Sequence, residues 1–280
     1  MNTQEFIIAA LAEDIGSGDH STLASIDAKV VGTAKLIVKE ACIIAGIRIA
    51  KEVFLHLDKE AVFTAFHTDG EYLEVGTIAF TVKAKAQAIL QAERLVLNTM
   101  QRMSGIATLT HSYVEKIKNY STTILDTRKT TPLFRAFEKE AVLLGGAKNH
   151  RMGLYDMIML KDNHIDYCGG IEKAIAAANN YLKEQQLQLP IEVETRSLDD
   201  VKRVVKVGGV QRIMLDNFTP QEIEAALVLI NKQFETEASG GINFDTIESY
   251  AATGVDFISV GAVIHHATSL DLSLKAVLHE

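Results

Sequence analysis

Residues 191–216, IEVETRSLDDVKRVVKVGGVQRIMLD, decide the fold class. Ile191 to Thr195 reads as a strand, Asp199 to Val207 as an amphipathic helix, Gly208-Gly209 as its stop, and Arg212 to Leu215 as a second strand. The same rhythm extends in both directions. Thr123 to Thr127, Met157 to Leu160, Phe234 to Ala238 and Asp256 to Val260 bring the strand count to six, and helix-like segments at Phe134–Leu144, Ile171–Gln186, Pro220–Gln233 and Phe244–Ala252 separate them. Alternating strands and helices predict parallel strands joined by right-handed crossovers. Pro220, after Thr219, suits a first helical position, and Pro190 suits the residue before a strand.

Upstream of about residue 120 the pattern differs. A helix is expected at Glu5–Glu13, then strands at Thr33–Lys39, Ala61–His67 and Thr77–Lys83, with a turn at Asp69-Gly70. From Ala84 to Asn119 apolar residues recur at three and four spacing (Ile89, Ala92, Leu95, Val96, Thr99, Met100, Met103), predicting one long helix or two, with a break near Gly105. The expected division is therefore 1–120, an antiparallel sheet covered by the helical segment 84–119 whose end packs with the second domain, and 121–280, a parallel α/β domain, with the extreme C-terminus returning to the first.

Bulk properties narrow the function. The chain has 280 residues, is 48% hydrophobic and carries a formal charge of -8, which argues against general nucleic-acid binding, since that needs extended phosphate neutralisation. The two cysteines, Cys42 and Cys168, form no CxxC pair and suggest neither a disulfide framework nor a thiolate zinc site. A reducing cytoplasm is expected. No secretory leader is read in Met1–Asp14, and the apolar stretch Ala41–Ala50 is short and interrupted by Arg48, so neither export nor a membrane span is expected.

Against this acidic background one segment reverses sign. Between Arg128 and Lys161 seven Lys or Arg (128, 129, 135, 139, 148, 151, 161) face three acids (Glu138, Glu140, Asp156). Arg135 and Lys139 are four apart in a helix-like segment and read as surface patterning. Arg128, Lys129, Arg151 and Lys161 instead fall near predicted strand ends, the edge where α/β sheets bind ligands. Arg offers a fork for carboxylate or phosphate and Lys a compact charge. Such a group of cations fits a small polyanion, with His150 and Lys148 nearby. Glu194 and Asp216, ending successive strands, are suited to Mg²⁺ or to sugar hydroxyls, and Glu192 shares the parity of Glu194. Ser239-Gly240-Gly241 and Gly261-Ala262, after the last two strands, would let backbone N–H groups approach a phosphate. His265-His266 show no metal-ligand spacing.

Seven motifs in order, Asp126-Thr127-Arg128-Lys129-Thr130-Thr131-Pro132, Gly145-Gly146-Ala147-Lys148-Asn149-His150-Arg151, Leu160-Lys161-Asp162-Asn163-His164, Ile191-Glu192-Val193-Glu194, Leu215-Asp216-Asn217, Ser239-Gly240-Gly241 and Ser259-Val260-Gly261-Ala262, closely resemble the quinolinate phosphoribosyltransferase family. Glu13-Asp14-Ile15-Gly16, Gly18-Asp19 and Gln101-Arg102-Met103-Ser104-Gly105 extend the likeness almost end to end. The resemblance implies an N-terminal α/β sandwich followed by an incomplete (open) α/β barrel. It implies conversion of quinolinate and phosphoribosyl pyrophosphate to nicotinate mononucleotide, pyrophosphate and CO₂, with Mg²⁺. Thr127, Arg128, His150, Arg151 and Lys161 would surround quinolinate, completed by Arg102 from a neighbouring subunit of a homodimer. Lys129, Glu194 and Asp216 would meet the pyrophosphate, ribose and Mg²⁺, and Ser239, Gly240, Gly241, Val260, Gly261 and Ala262 the 5′-phosphate. Lys129, Lys161, Glu194 and Asp216 are the expected catalytic set. The departures are Leu133 after Pro132, where the family usually has Gly, His20 where a β-branched residue is common, and Glu140 where an aromatic is frequent. The alternatives are a paralogous phosphoribosyltransferase of the kind associated with molybdate transport, a barrel lyase with a Schiff-base lysine, and a non-catalytic anion-binding protein.

Overall fold

The computed structural model describes residues 2–277. In chain order the elements are α1 (Thr3–Ile15), α2 (His20–Ser25), β1 (Val31–Val38), β2 (Cys42–Ile43), α3 (Ile47–Leu57), β3 (Val62–Ala65), β4 (Tyr72–Leu73), β5 (Ile78–Lys85), α4 (Ala86–Lys116), β6 (Thr123–Leu125), α5 (Arg135–Leu144) and β7 (Ile158–Leu160). They continue as α6 (Asp162–Cys168), α7 (Ile171–Glu184), β8 (Ile191–Thr195), α8 (Leu198–Val207), β9 (Arg212–Asp216), α9 (Pro220–Ile230), β10 (Glu235–Ser239), α10 (Ile247–Ala251), β11 (Phe257–Ser259), α11 (Ala262–His265) and β12 (Leu272–Ala276). Two compact units result. The first gathers residues 2–111, 130–146 and 266–277, and the second 112–129 and 147–265. The units are thus interleaved, where the composition shift alone suggested one boundary near 120.

The first unit holds an antiparallel sheet in the order β12-β1-β5-β3. Alternation along β1 and β5 puts Leu36, Val38, Phe80 and Val82 inside, where Phe54 of α3 and Phe63 of β3 stack on Phe80 with centroids 6.1 and 4.5 Å away. Gly46 offers α3 no side-chain cap, and Asp69 from the predicted turn supplies one, accepting from the N–H groups of Ile47 (2.8 Å) and Arg48 (3.3 Å). β12 pairs with β1 from Ala34↔Ala276 to Val38↔Leu272, which brings the C-terminal segment into this sheet.

The break expected near Gly105 does not occur. α4 runs unbroken for 31 residues, because its Ala, Leu, Gln and Glu content sustains the helix through one glycine. Gly105 serves packing instead. A methyl group there would overlap the Thr268 carbonyl oxygen and stand 3.6 Å from Ser269 Cα, so its absence allows that segment to lie directly on the helix. The surface assignment of Lys139 also fails. On α5 Lys139 is fully buried, while Arg135 is half-buried with its Nε donating to Thr130 Oγ1 at 2.9 Å. Four-residue spacing marks a helix face without saying which face is covered. Two of the family departures find physical accounts. Glu140 accepts both Nη2 bonds of Arg48 (2.9 and 3.2 Å), and Leu133 is held at φ +63° with 77% of its surface exposed. That backbone region is the one a glycine occupies without strain.

The second unit is a parallel sheet of six strands in the order β6-β11-β10-β9-β8-β7. β6 and β7 form its two edges, so it does not close. Parallel strands are buried on both faces, and β8 is buried at all five positions, with Ile191 and Val193 alternating with Glu192 and Glu194. Thr219 caps α9 in a capping box with Glu222, and Pro220 takes the first turn as predicted.

Two outcomes test these packing arguments. Gly105→Ala gains about 1 kcal/mol of helix propensity but overpacks against a backbone by about 1–3 kcal/mol. Thermal unfolding is therefore expected to show net destabilisation, and a Tm at or above the parent's would contradict the close approach. Leu133→Gly relieves a left-handed conformation costing roughly 1–2 kcal/mol at an entropic cost of about 0.4–1 kcal/mol. Its Tm should rise, and a fall would show that Leu133 is unstrained.

Candidate active site

Each strand of the second unit delivers side chains at its carboxyl end. The segment after α5 adds Lys148 to the edge of β6, where Lys148 N–H donates to Ile124 O at 2.9 Å. This carries Asn149, His150 and Arg151 to the end of β6, beside Thr127, Arg128 and Lys129. Thr127 Oγ1 accepts the Lys129 N–H at 3.1 Å and shapes that loop. Asp126, fully buried, accepts the His150 N–H at 2.8 Å and ties the two segments together.

Of the four cations, Arg128 and Arg151 lie within electrostatic range of each other. Burial disfavours the charged Arg151 guanidinium, and the nearby Arg128 guanidinium lowers its pKa further, against the pull of Glu192 and Asp156. Arg151 also donates from Nη1 to Met157 O at 3.3 Å. Two guanidiniums that repel each other favour an anion between or beside them. Lys161 stands between β7 and α6, with its N–H donating to His164 Nδ1 at 3.0 Å, and its Nζ lies 3.2 Å from Glu194 Oε2.

Glu194 and Asp216 end neighbouring strands. Asp216 has its pKa raised, first by burial and then by the Glu194 charge, while Lys161, Ser239 and Asn217 act in the opposite direction. Carboxylates that repel each other in this way are a suitable donor set for a hard divalent cation, so these two residues fit Mg²⁺. Asn217 adopts φ +59°, donates its N–H to Ser239 O at 2.8 Å and its Nδ2 to Asp216 Oδ2 at 2.6 Å. A Cβ on Gly240 would press on Asn217, with Cγ at 2.7 Å and N at 2.8 Å, and Gly240 and Gly241 both hold positive φ (+98° and +64°). Only glycine permits that backbone. A Cβ on Gly261 would meet His265 Nε2 at 2.9 Å and Lys129 Cδ at 3.4 Å, so the Lys129 side chain passes directly over the loop between β11 and α11. Val260 is buried and donates its N–H to Leu125 O at 2.9 Å, and buried Ala262 opens α11.

Beneath this edge lies a cluster the sequence did not reveal. His150 Nδ1 lies 2.7 Å from the Arg151 N–H, an arrangement in which the neutral ring carries its proton on Nε2, and Nε2 lies 3.0 Å from Glu192 and 3.4 Å from Glu237. Burial opposes a second proton on His150, but the two carboxylates outweigh it and push the pKa up to about 9. That proton would take Nδ1 from the Arg151 N–H, so the charge of His150 and the turn at Arg151 are linked. Burial and Glu237 raise the Glu192 pKa. Arg212 braces Glu237 at 2.9 Å and Glu235 at 3.0 Å and stacks 4.1 Å from the Phe257 ring centroid. The facing atoms of His150, Glu192 and Glu237 lie within 4.8 Å of one another, close enough to share a cation, although Arg212 already supplies charge there. The available signal was Glu237 itself, a charged residue in mid-strand with the parity of Ser239.

Thus Thr127, Arg128, Lys129, His150, Arg151, Lys161, Glu194, Asp216, Ser239, Gly240, Gly241, Val260, Gly261 and Ala262 all lie in the second unit. Arg102 lies in the first, on α4, where Nε and Nη2 donate to Glu138 Oε1 at 3.0 and 2.9 Å and Nη1 to Ala267 O at 2.6 Å.

The chain as a whole is similar to known proteins. The C-terminal domain of quinolinate phosphoribosyl transferase matches residues 106–275 and its N-terminal domain residues 19–104. The chain is 43% identical over 281 residues to the chloroplastic nicotinate-nucleotide pyrophosphorylase [carboxylating] of Oryza sativa subsp. japonica, covering 95% of this chain and 75% of that one. It is 41% identical to a probable enzyme of the same name from Synechocystis, over 95% and 90% of the two chains. Among solved structures, NadC from Streptococcus pyogenes superposes with a TM-score of 0.92 at 39% identity, over 97% of this chain and 95% of that one. The nicotinate-nucleotide pyrophosphorylase of Francisella tularensis gives 0.92 at 38%, over 98% and 96%. With both domains of the family matched in order and close relatives aligned along nearly its whole length, the chain belongs to the quinolinate phosphoribosyltransferase family.

Proposed function

We propose that this chain joins quinolinate to phosphoribosyl pyrophosphate, giving nicotinate mononucleotide, pyrophosphate and CO₂ in the synthesis of NAD, with the strand-edge residues dividing the work. The observation that carries the reading is Arg151, whose guanidinium is disfavoured by burial and then by the positive charge of Arg128 beside it. A dicarboxylate relieves that repulsion and a neutral ligand does not. Arg128, Arg151, Lys161 and His150, with Thr127, hold quinolinate. Lys129, Glu194 and Asp216 face the pyrophosphate and ribose, and the glycine turns at 240–241 and 261, with Ser239, Val260 and Ala262, receive the 5′-phosphate.

In this scheme the bond from the anomeric carbon to the pyrophosphate oxygen breaks, and the electron pair leaves with pyrophosphate. Glu194 and Asp216 stabilise the positive charge left on the ribose, and Lys129 and Lys161 stabilise the departing anion. The pyridine nitrogen lone pair then forms the new bond to carbon. The resulting pyridinium accepts the electron pair released when the adjacent carboxylate departs as CO₂, and a proton replaces it on the ring. No covalent nucleophile on the protein is required, and positioning of two polyanions dominates. Glu194 and Asp216 would hold Mg²⁺, which when bound supplies positive charge to the pyrophosphate. Arg102 completes the site of a second copy of the chain in a homodimer. We assign the reaction to the cytoplasm, a reducing compartment suited to the free cysteines Cys42 and Cys168. A Schiff-base lysine is activated by desolvation or by another cation, whereas the Lys161 side chain is 48% exposed and paired with Glu194.

With Mg²⁺ present, quinolinate-dependent release of both CO₂ and pyrophosphate is expected, and absence of turnover would overturn the function. Arg128→Ala and Arg151→Ala should each lose roughly 2–5 kcal/mol of quinolinate interaction, as when one member of a desolvated charge pair is removed. Titration calorimetry giving parent-like affinity in both would remove them from the site. Arg102→Ala should be inactive alone and recover activity when mixed with Lys161→Ala subunits. No recovery would argue against a shared site.

A further inference from the structure

Glu138 is a heavily committed carboxylate of the first unit. It sits on α5 with none of its surface exposed. Its Oε1 accepts from Arg102 Nε (3.0 Å), Arg102 Nη2 (2.9 Å) and Thr131 Oγ1 (2.9 Å), and its Oε2 accepts from Thr131 N–H (2.8 Å). Arg102 is secured again by Nη1 on the Ala267 carbonyl at 2.6 Å, and 24% of its side chain remains exposed. A buried acid is costly unless matched by donors, and this one has four.

We propose that Glu138 is a positioning residue for phosphoribosyl transfer, fixing the Arg102 guanidinium in the attitude from which it meets the quinolinate of a second copy of the chain. The inference rests on the reading that Arg102 completes a neighbouring site. Its physical basis is pre-organisation. An arginine side chain loses rotamer freedom when it is ordered, and ordering it before the substrate arrives removes that cost from binding. Glu138 also places a negative charge against Arg102, which on its own would weaken attraction for a dicarboxylate. The geometry favours the first effect. Glu138 engages Nε and Nη2 through one oxygen and the Ala267 carbonyl engages Nη1, so the plane of the fork is set from two directions. Thr131 keeps the carboxylate itself from turning.

A purely structural ion pair would lower stability on removal without preference between substrates or between subunits. Positioning of Arg102 gives a different pattern. Glu138→Gln should bind quinolinate roughly thirtyfold more weakly or worse, with affinity for phosphoribosyl pyrophosphate unchanged, both read by titration calorimetry on protein whose Tm shows it is folded. At low quinolinate, mixing Glu138→Gln with Lys161→Ala subunits should restore activity, because one site of the mixed dimer then combines an intact Lys161 with an intact Glu138 and Arg102. If Glu138 instead served its own chain through Thr131, mixing would restore nothing.

The Arg102→Ala and Lys161→Ala mixture separates the two ideas. Failure of that mixture overturns the shared-site reading. Recovery there without recovery for Glu138→Gln, or equal loss of both substrates, overturns the positioning role. If the Gln variant does not fold, Glu138→Asp takes its place, because withdrawing the carboxylate by one methylene should still weaken quinolinate selectively. Parent-like quinolinate affinity in that variant would end the proposal.

Discussion

Repulsion among the cations at one sheet edge is the constraint on which the rest of the site depends. Arg128, Lys129, Arg151 and Lys161 lie at or just after the carboxyl ends of strands in one sheet, and the charge of Arg128 acts against that of the partly buried Arg151. The sheet offsets this with carboxylates set on its buried face. Glu192, Glu194 and Glu237 lie within the parallel sheet, with Glu194 3.2 Å from Lys161 and Glu192 3.0 Å from His150. His150 in turn receives the Arg151 N–H. The acids therefore act on the cations mostly from below, through strand register, and the outer side is left for an anionic substrate.

The architecture was legible because its signals are local. Six strand positions, the Thr219-Pro220 start of α9 and the acids at 194 and 216 follow from apolar periodicity and capping chemistry, and the structure places all six strands in one open parallel sheet. What could not be read depends on long-range partners. Lys139 looks like a solvated helix residue, and only its burial on α5 shows otherwise. The return of the C-terminus to the first domain was expected, but β12 as a strand and its register on β1 follow from pairing across more than two hundred residues. Gly105 signals a helix break until the Thr268 backbone is seen against it.

The site was legible unevenly for the same reason. The basic motif and the glycine turns announce themselves by residue type. Glu237, Arg212 and Glu138 do not, because each acts on another protein group. Glu138 is one acid among several in a helix until its four hydrogen bonds to Arg102 and Thr131 are counted. Leu133 shows the converse. The sequence flagged it as an unusual residue, and its φ of +63° gives the reason glycine suits that position.

The central claim, that paired guanidiniums at the end of β6 build a site for two carboxylates, is tested most directly by comparing quinolinate with nicotinate, which lacks the 2-carboxylate, in calorimetric binding to the parent protein. The account predicts that quinolinate binds more tightly by an order of magnitude or more, with an advantage that shrinks as salt screens the charges. Equal affinity for the two ligands, independent of salt, would contradict it.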